Sequence, residues 1–427
     1  ASAEPQLVGW RVEGAGLHAV HACGCGLGDQ GAAFLAAALP LCPELKELHL
    51  SSNSIGDEGA GALAAVMQSH PGLRSLALDG NRIGDAAALR LTRALSQMER
   101  KDLVCNARDN PITRFDSASL ANLGIAAATA RSISRRGVTL RHLLKLWLDF
   151  AASRDIDLET ASTREVVRRL VKPYLENKKT SFSGFFHAPR PTVHVVHAWD
   201  GKFRDLVAAV AAHATGIHTP SFDSSHVMYR EMPEVFDKCY FVDAFCVDQN
   251  VSAPIGDQYC QTDKFDLVID LLRRAGGEVL LVMDREYLTL TRLWCLYEAH
   301  IALRDGMRLH VSFGEMRPFP RKRRGAKVAE AKITTDQDRA LISGDLSAND
   351  GGFEGFDERV TRPLEEQMRA KYLAVFPEVP SLQSELEWLE AQDHAREDLL
   401  AAMRAGEMVE LGLCIGVAEE LRLEKEV

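Results

Sequence analysis

The chain has 427 residues, 46% of them hydrophobic, and carries a formal charge of −10. That length exceeds what one hydrophobic core supports, so a multi-domain globular protein is expected, and the acidic balance leaves no overall positive field for nucleic acid or anionic lipid. No run of about 18 or more apolar residues occurs, so a membrane partner is not expected either.

Three segments repeat. Units beginning at Leu17, Leu45 and Leu73 lie 28 residues apart, and the last two share Leu-x-x-Leu-x-Leu followed by Asn53-Ser-Ile55-Gly-Asp and Asn81-Arg-Ile83-Gly-Asp. Cys25 stands at the asparagine position of the first unit, and a degenerate fourth runs from Asp102 through Cys105, Ala107 and Asn110 to Ile112. Alternate leucines turn the apolar side of a short parallel strand inward, while Asn53 and Asn81 are placed to hydrogen-bond backbone at the strand-to-helix turn. Segments such as 59–69, rich in Ala and Leu, read as the helices that pack on the strands. This period and corner resemble the ribonuclease-inhibitor class of leucine-rich repeats, which implies a short solenoid over 1–113. Three to four units are close to the minimum for a stacked core, so the array is expected to lean on the neighbouring C-terminal segment. The resemblance implies a protein partner on the strand side; a rigid cap or spacer is the plainer alternative.

The pattern then turns helical. Leu140, Leu143, Leu144, Trp147 and Leu148 share one face, and Ser162-Thr-Arg-Glu165 has capping-box spacing before Val166, Val167, Leu170 and Val171. Residues 114–190 are read as a helical connector whose polar, Pro- and Gly-containing end, 178–191, marks the boundary.

Strands and helices alternate after it. Apolar runs at 192–200, 239–247, 278–284 and 307–313 are separated by helical patterns at 203–212, 265–274 and 290–304, which predicts a parallel sheet covered on both faces over 191–375. In such sheets ligands bind at the carboxyl ends of the strands. A helical, acidic extension, 376–427, is left to cover the sheet or mediate oligomer contacts. The fold class expected for the whole is α/β.

Here Leu290-Thr-Arg-Leu-Trp294-Cys295-Leu-Tyr-Glu298, with His197-Ala-Trp199 at the end of the first strand, resembles the Toll/interleukin-1 receptor (TIR) domain, a flavodoxin-like fold. Phe241-Val-Asp243-Ala-Phe-Cys-Val-Asp248-Gln249 is similar to a motif of fungal heterokaryon-incompatibility (HET) domains. The resemblance covers under half the chain and is nearest to TIR-like regions of algae and protists. Many TIR domains hydrolyse NAD at the nicotinamide–ribose bond through a glutamate four residues after the signature tryptophan. It therefore implies Glu298 as catalytic carboxylate and Trp294 as a stacking surface, on one helix face. A carboxylate there would stabilise the oxocarbenium-like charge that develops as nicotinamide leaves. His197, Trp199, Asp200 and Arg292 are the further ligand-contacting candidates; Asp243, Asp248, Asp284 and Arg285 are weaker ones. NAD would be the substrate and no cofactor is required. The alternative is a non-enzymatic module acting by self-association as a homo-oligomer. Core packing for Trp294 and a solvated helix position for Glu298 are the plainer readings of those two residues.

No Walker motif, Gly-x-Gly-x-x-Gly, His-Glu-x-x-His or nucleophile elbow is present. Cys23-Gly-Cys25 lacks a companion Cys/His pair, so no metal site is expected. Nine cysteines without framework spacing suit reduced thiols and a cytoplasmic location, and residues 1–5 lack a charged start before an apolar core. The basic run 321–324 reads as a solvated loop.

Overall fold

The computed structural model describes residues 9–13, 16–98, 102–147, 160–178, 180–186, 188–216, 233–250, 265–284, 288–314, 328–333, 336–349 and 352–361, with isolated positions beside them. Contacts divide the chain into a large unit, Ala1–Met316 with Ala326–Arg362, and a small one, Arg317–Gly325 with Pro363–Val427. All the strands and helices named below belong to the large unit. Arg285, Leu148, the basic run and residues 376–427 lie outside the described residues.

Strands β1 (Gly9–Glu13), β2 (Gly16–His21), β3 (Glu47–His49), β4 (Ser75–Ala77) and β5 (Val104–Asn106) form one sheet in chain order. From β2 to β5 the pairing is parallel, aligning Ala19, Glu47, Ser75 and Val104. β1, for which the repeat spacing holds no signal, folds back antiparallel on β2 and covers the edge that the first unit would leave open. Helices α1 (Gly28–Ala38), α2 (Asp57–Met67) and α3 (Asp85–Gln97) follow successive strands and pack on one another. Leu48, Leu50, Ile55, Leu63, Leu76, Leu78, Ile83 and Leu91 are buried between the layers.

Two ladders of side chains tie the units together. Asn81 Oδ1 accepts from the amides of Asn53 and Ile55, both at 2.9 Å, and its Nδ2 donates to the carbonyls of Leu50 and Leu78. Asn53 serves Cys25 and Ala22 in the same way, and Asn110 serves Ile83 and Leu78. The second ladder is acidic: Asp29 accepts from the amides of Gly56 and Gly59, Asp57 from Gly84, and Asp85 from Thr113 and Arg114. Asp29 and Asp57 thus hold amides at the start of the next unit's helix, where backbone donors lack intrahelical partners, and Asp85 holds the turn that precedes Ser117–Ala121.

The segment between the sheets contains α4 (Ser117–Ala121), α5 (Gly124–Ile133), β6 (Val138–Thr139), α6 (Leu140–Lys145) and α7, a helical run over 163–175 whose middle, Val167–Val171, widens to π geometry. Ser162 caps α7 by accepting from the amide of Glu165, but Glu165 turns outward toward Arg168 and Arg169 instead of closing the box. Thr139 and His142 form a complete capping box at α6. β6 means that this segment is not wholly helical: it supplies an antiparallel edge strand to the second sheet.

That sheet contains β7 (Val193–Val196), β8 (Cys239–Val242), β9 (Glu278–Met283) and β10 (Arg308–Phe313), in the order β10-β9-β7-β8-β6, with all but β6 parallel. The helices between them are α8 (Phe203–Thr215), the short α9 (Asp243–Cys246), α10 (Phe265–Arg274) and α11 (Leu293–Arg304). The strand expected over 239–247 is shorter than its apolar run. Asp243 ends it, accepting the amide of Ala244 on its own carboxylate and that of Val247 on its carbonyl, and α9 begins. Strand and helix here are both buried, so apolarity alone does not distinguish them. Val195, Val242, Leu280 and Val282 face α8 and α7, while Phe241 packs with α10 and α5.

The repeats and this sheet are joined by α3, α5 and α10. Inside the joint Arg114 donates to Asp266 at 2.6 Å, both side chains at most 4% exposed, and Gln97 donates to Asp270 at 2.8 Å. Burial disfavours the Asp270 carboxylate, but bonds from Arg273 and Gln97, with the charge of Arg93, hold it below the usual carboxylate range. Among the described residues no helix is long and apolar enough to cross a membrane.

Candidate functional site

Taken in chain order, the four parallel strands of the second sheet have the spatial order 4-3-1-2, a doubly wound arrangement that reverses direction beside β7. The crevice expected at such a reversal opens at the carboxyl ends of β7 and β9. It is lined there by His197, Ala198, Lys202, Asp205, Asp284 and Thr289, among others, and has room for about one water molecule. Sites for drug-sized ligands run from roughly 300 to 1,000 Å³, so the cleft as it stands is small for a dinucleotide.

Of the residues singled out from the sequence, three meet beside it. The indole Nε1 of Trp199 donates to Asp243 Oδ2 at 2.8 Å, and His197 Nδ1 lies 3.6 Å from Asp243 Oδ1. His197 is buried, neither ring nitrogen has a hydrogen-bond partner among the described residues, and burial pushes its pKa down against the pull of Asp243. Asp284 accepts from the amides of Leu288 and Thr289, fixing the turn after β9, and the Thr289 hydroxyl bridges from the Ala198 amide to the carbonyl of Val282. Asp248 is buried and accepts from the amide of Asn250.

Asp200 and Arg292 belong to a different, outer group. Arg164 Nε donates to Asp200 at 2.7 Å and stacks over Trp199, and Arg292 approaches Asp200 at 3.7 Å. The Arg164 hydrogen bond, opposed in part by burial, sets the Asp200 carboxyl below its ordinary value. Arg292 is not within the signature helix: its backbone is extended, it caps α11, and it bridges to Lys332.

Glu298 lies elsewhere again. It projects from α11 onto β7, where its Oε2 meets His194 Nε2 at 3.2 Å, and it is 8% exposed. Burial raises its pKa, with the His194 hydrogen bond opposing. His194 is fully buried and stacked on Phe241. Trp294 is half-buried with its ring against Tyr297, and neither Trp294 nor Glu298 lines the cleft. Between Glu298 and the strand ends, the Cys295 thiol donates to the carbonyl of His197, and burial raises its pKa well above the ordinary thiol value.

Sequence reasoning missed His194, Arg164 and Thr289. His194 had a legible signal, a titratable residue inside the buried run Val193–Val196. The seven described cysteines are free; Cys260 and Cys414 fall outside the described residues.

Comparison with known proteins bears on the repeats alone. No curated protein shows significant similarity to the chain. Residues 42–64 match the family described as Leucine Rich repeat, the stretch that contains β3, Asn53 and most of α2, and this chain therefore carries leucine-rich repeats.

Proposed function

We propose that the chain is a protein-interaction module. Its repeats, stacked as a short solenoid, present the outer side of β2 to β5 to a protein partner, and the second sheet, whose sequence motifs resemble those of TIR domains, adds self-association. The observation that carries this reading is the outer row of the repeat sheet. His21, His49, Ala77 and Asn106 stand in register and partly exposed, beside Glu47, Ser75 and the exposed Val104. The row is framed by Arg11 on Glu47 and by Arg74 on Asp102, and Asp79 collects Ser51 and Asn106. A mixed surface of this kind, backed by a rigid layer, suits recognition of a polar protein face. Ala77→Arg with His49→Glu should leave thermal stability unchanged, since both positions are partly exposed, yet release the protein that wild type retains in affinity capture. Equal retention by both chains would remove the strand row from the reading.

A second reading, hydrolysis of NAD with Glu298 as carboxylate, is favoured by one observation. His197, buried and with neither ring nitrogen hydrogen-bonded among the described residues, lines the cleft at the strand reversal. This reading requires α11 to shift and expose Glu298, whose partner is now His194. The sealed position of Glu298 is why the interaction reading is preferred.

A further inference from the structure

At the amino ends of the same strands, far from the cleft, lies a cluster that none of the sequence motifs announces. Glu278 opens β9, His310 is the third residue of β10, and His213 lies near the end of α8. His310 Nε2 is 3.0 Å from Glu278 Oε2, and His213 Nε2 is 3.3 Å from Glu278 Oε1. One ligand atom from each of the three residues can be chosen so that all lie within 4.8 Å of one another. Bonds of about 2.0–2.1 Å to nitrogen and oxygen in a tetrahedral site put neighbouring ligand atoms roughly 3.3 Å apart. Whichever carboxylate oxygen serves, one edge is already near that length: His310 to Oε2 at 3.0 Å or His213 to Oε1 at 3.3 Å.

The surroundings have the form of a metal centre's support. The Nδ1 atom of His213 lies 3.2 Å from the hydroxyl of Tyr240, which directs the opposite nitrogen toward Glu278, and such a partner on the far side of a histidine orients it for metal. The two imidazoles meet edge to face at 5.2 Å. Two cations now share the carboxylate: Lys238 Nζ at 3.1 Å and Arg308 at 3.9 Å. Their side chains are 33% and 79% exposed and attached to flexible stems, so both can withdraw into water.

We propose that His213, Glu278 and His310 form a three-ligand site for a divalent transition metal of the zinc class, with water completing the shell and Lys238 competing for the carboxylate. Two imidazoles and one carboxylate favour zinc or cobalt over calcium or magnesium, which take oxygen donors. Bound there, the ion would clamp the end of α8 to β9 and β10.

The test uses the full chain, stripped of metal by chelator, in a Cys23→Ser/Cys25→Ser background so that thiols do not compete. Titration with zinc should show one equivalent bound and a rise in melting temperature, since a ligand of the folded state alone stabilises it. Cobalt should give the visible bands of a tetrahedral nitrogen–oxygen site without a thiolate charge-transfer band. His310→Ala should abolish both signals. Tyr240→Phe should weaken binding about tenfold or more through the His213 support. Lys238→Met, which removes the competitor, should tighten binding. The last result separates a metal site from a plain ion-pair hub, in which losing Lys238 only destabilises. Absence of zinc and cobalt binding, or binding equal in wild type and His310→Ala, overturns the proposal.

Discussion

The repeats and the second sheet solve the same problem, satisfying buried polar groups, in opposite ways. In the repeats each answer recurs: Asn81 binds the amide of Asn53 across 28 residues, and Asp29, Asp57 and Asp85 hold the next unit's amides at nearly the same spacing. In the second sheet each answer is single. His194 meets Glu298 across 104 residues, the Ala198 amide meets Thr289 across 91, and Trp199 meets Asp243 across 44. Periodic pairing makes a region readable and tolerant of a weak unit; unique pairing makes one that a single change unpicks.

The largest effect is expected where the two regions join. Asp266→Ala leaves the Arg114 guanidinium buried without its carboxylate, which should cost about 3–5 kcal/mol in equilibrium unfolding. Arg114→Met combined with Asp266→Leu should recover most of it, because an apolar pair removes the desolvation cost along with the charges. Within the ladder, Asn81→Ala strands the amides of Asn53 and Ile55 and the carbonyl of Leu50, while the Leu78 carbonyl keeps its bond from Asn110. A loss on the order of 3 kcal/mol is expected, with faster amide exchange confined to those neighbours. Asn110→Ala, at a half-buried site, should cost less. A uniform loss along the array would contradict the ladder.

The smallest effect is a pH dependence at the cleft. Burial lowers the His197 pKa below its ordinary 6.5, so the folded protein holds the neutral ring. A depressed folded value means stability present above pH 6.5 and lost as pH falls from there toward the folded pKa, at no more than about 1.4 kcal/mol per pH unit. His197→Gln should flatten that part of the curve measured by thermal unfolding. An unchanged slope would place His197 outside the buried network.

The repeats were legible because their chemistry is local and periodic: the leucine spacing places the strands, and Asn53 and Asn81 take the bonds their positions imply. The Gly-Asp pairs were visible but their use was not, since each aspartate acts on the following unit. Strand β1 escaped because it caps an edge and carries no repeat. In the second sheet the alternation of apolar runs was enough for the strands, while β8 was overextended because a buried turn at Asp243 is as apolar as a strand. The site was legible in composition and not in arrangement. His197, Trp199 and Asp243 come together, but Asp200 and Arg292 pair outside them, and the i,i+4 spacing of Trp294 and Glu298 carries no information about which way α11 is turned. That orientation is decided by burial against β7, through His194.

Whether this chain binds rather than hydrolyses, with Glu298 a buried partner of His194, is tested most directly by nicotinamide release. Purified wild type and Glu298→Gln are incubated with NAD, both dilute and at concentrations that drive self-association, because TIR enzymes commonly complete their site between subunits. No nicotinamide is expected from either chain in either state, with both chains folded by circular dichroism. Release by wild type that falls about a hundredfold or more in Glu298→Gln would contradict the binding role, since a loss of that size marks a charge aimed at the reacting centre.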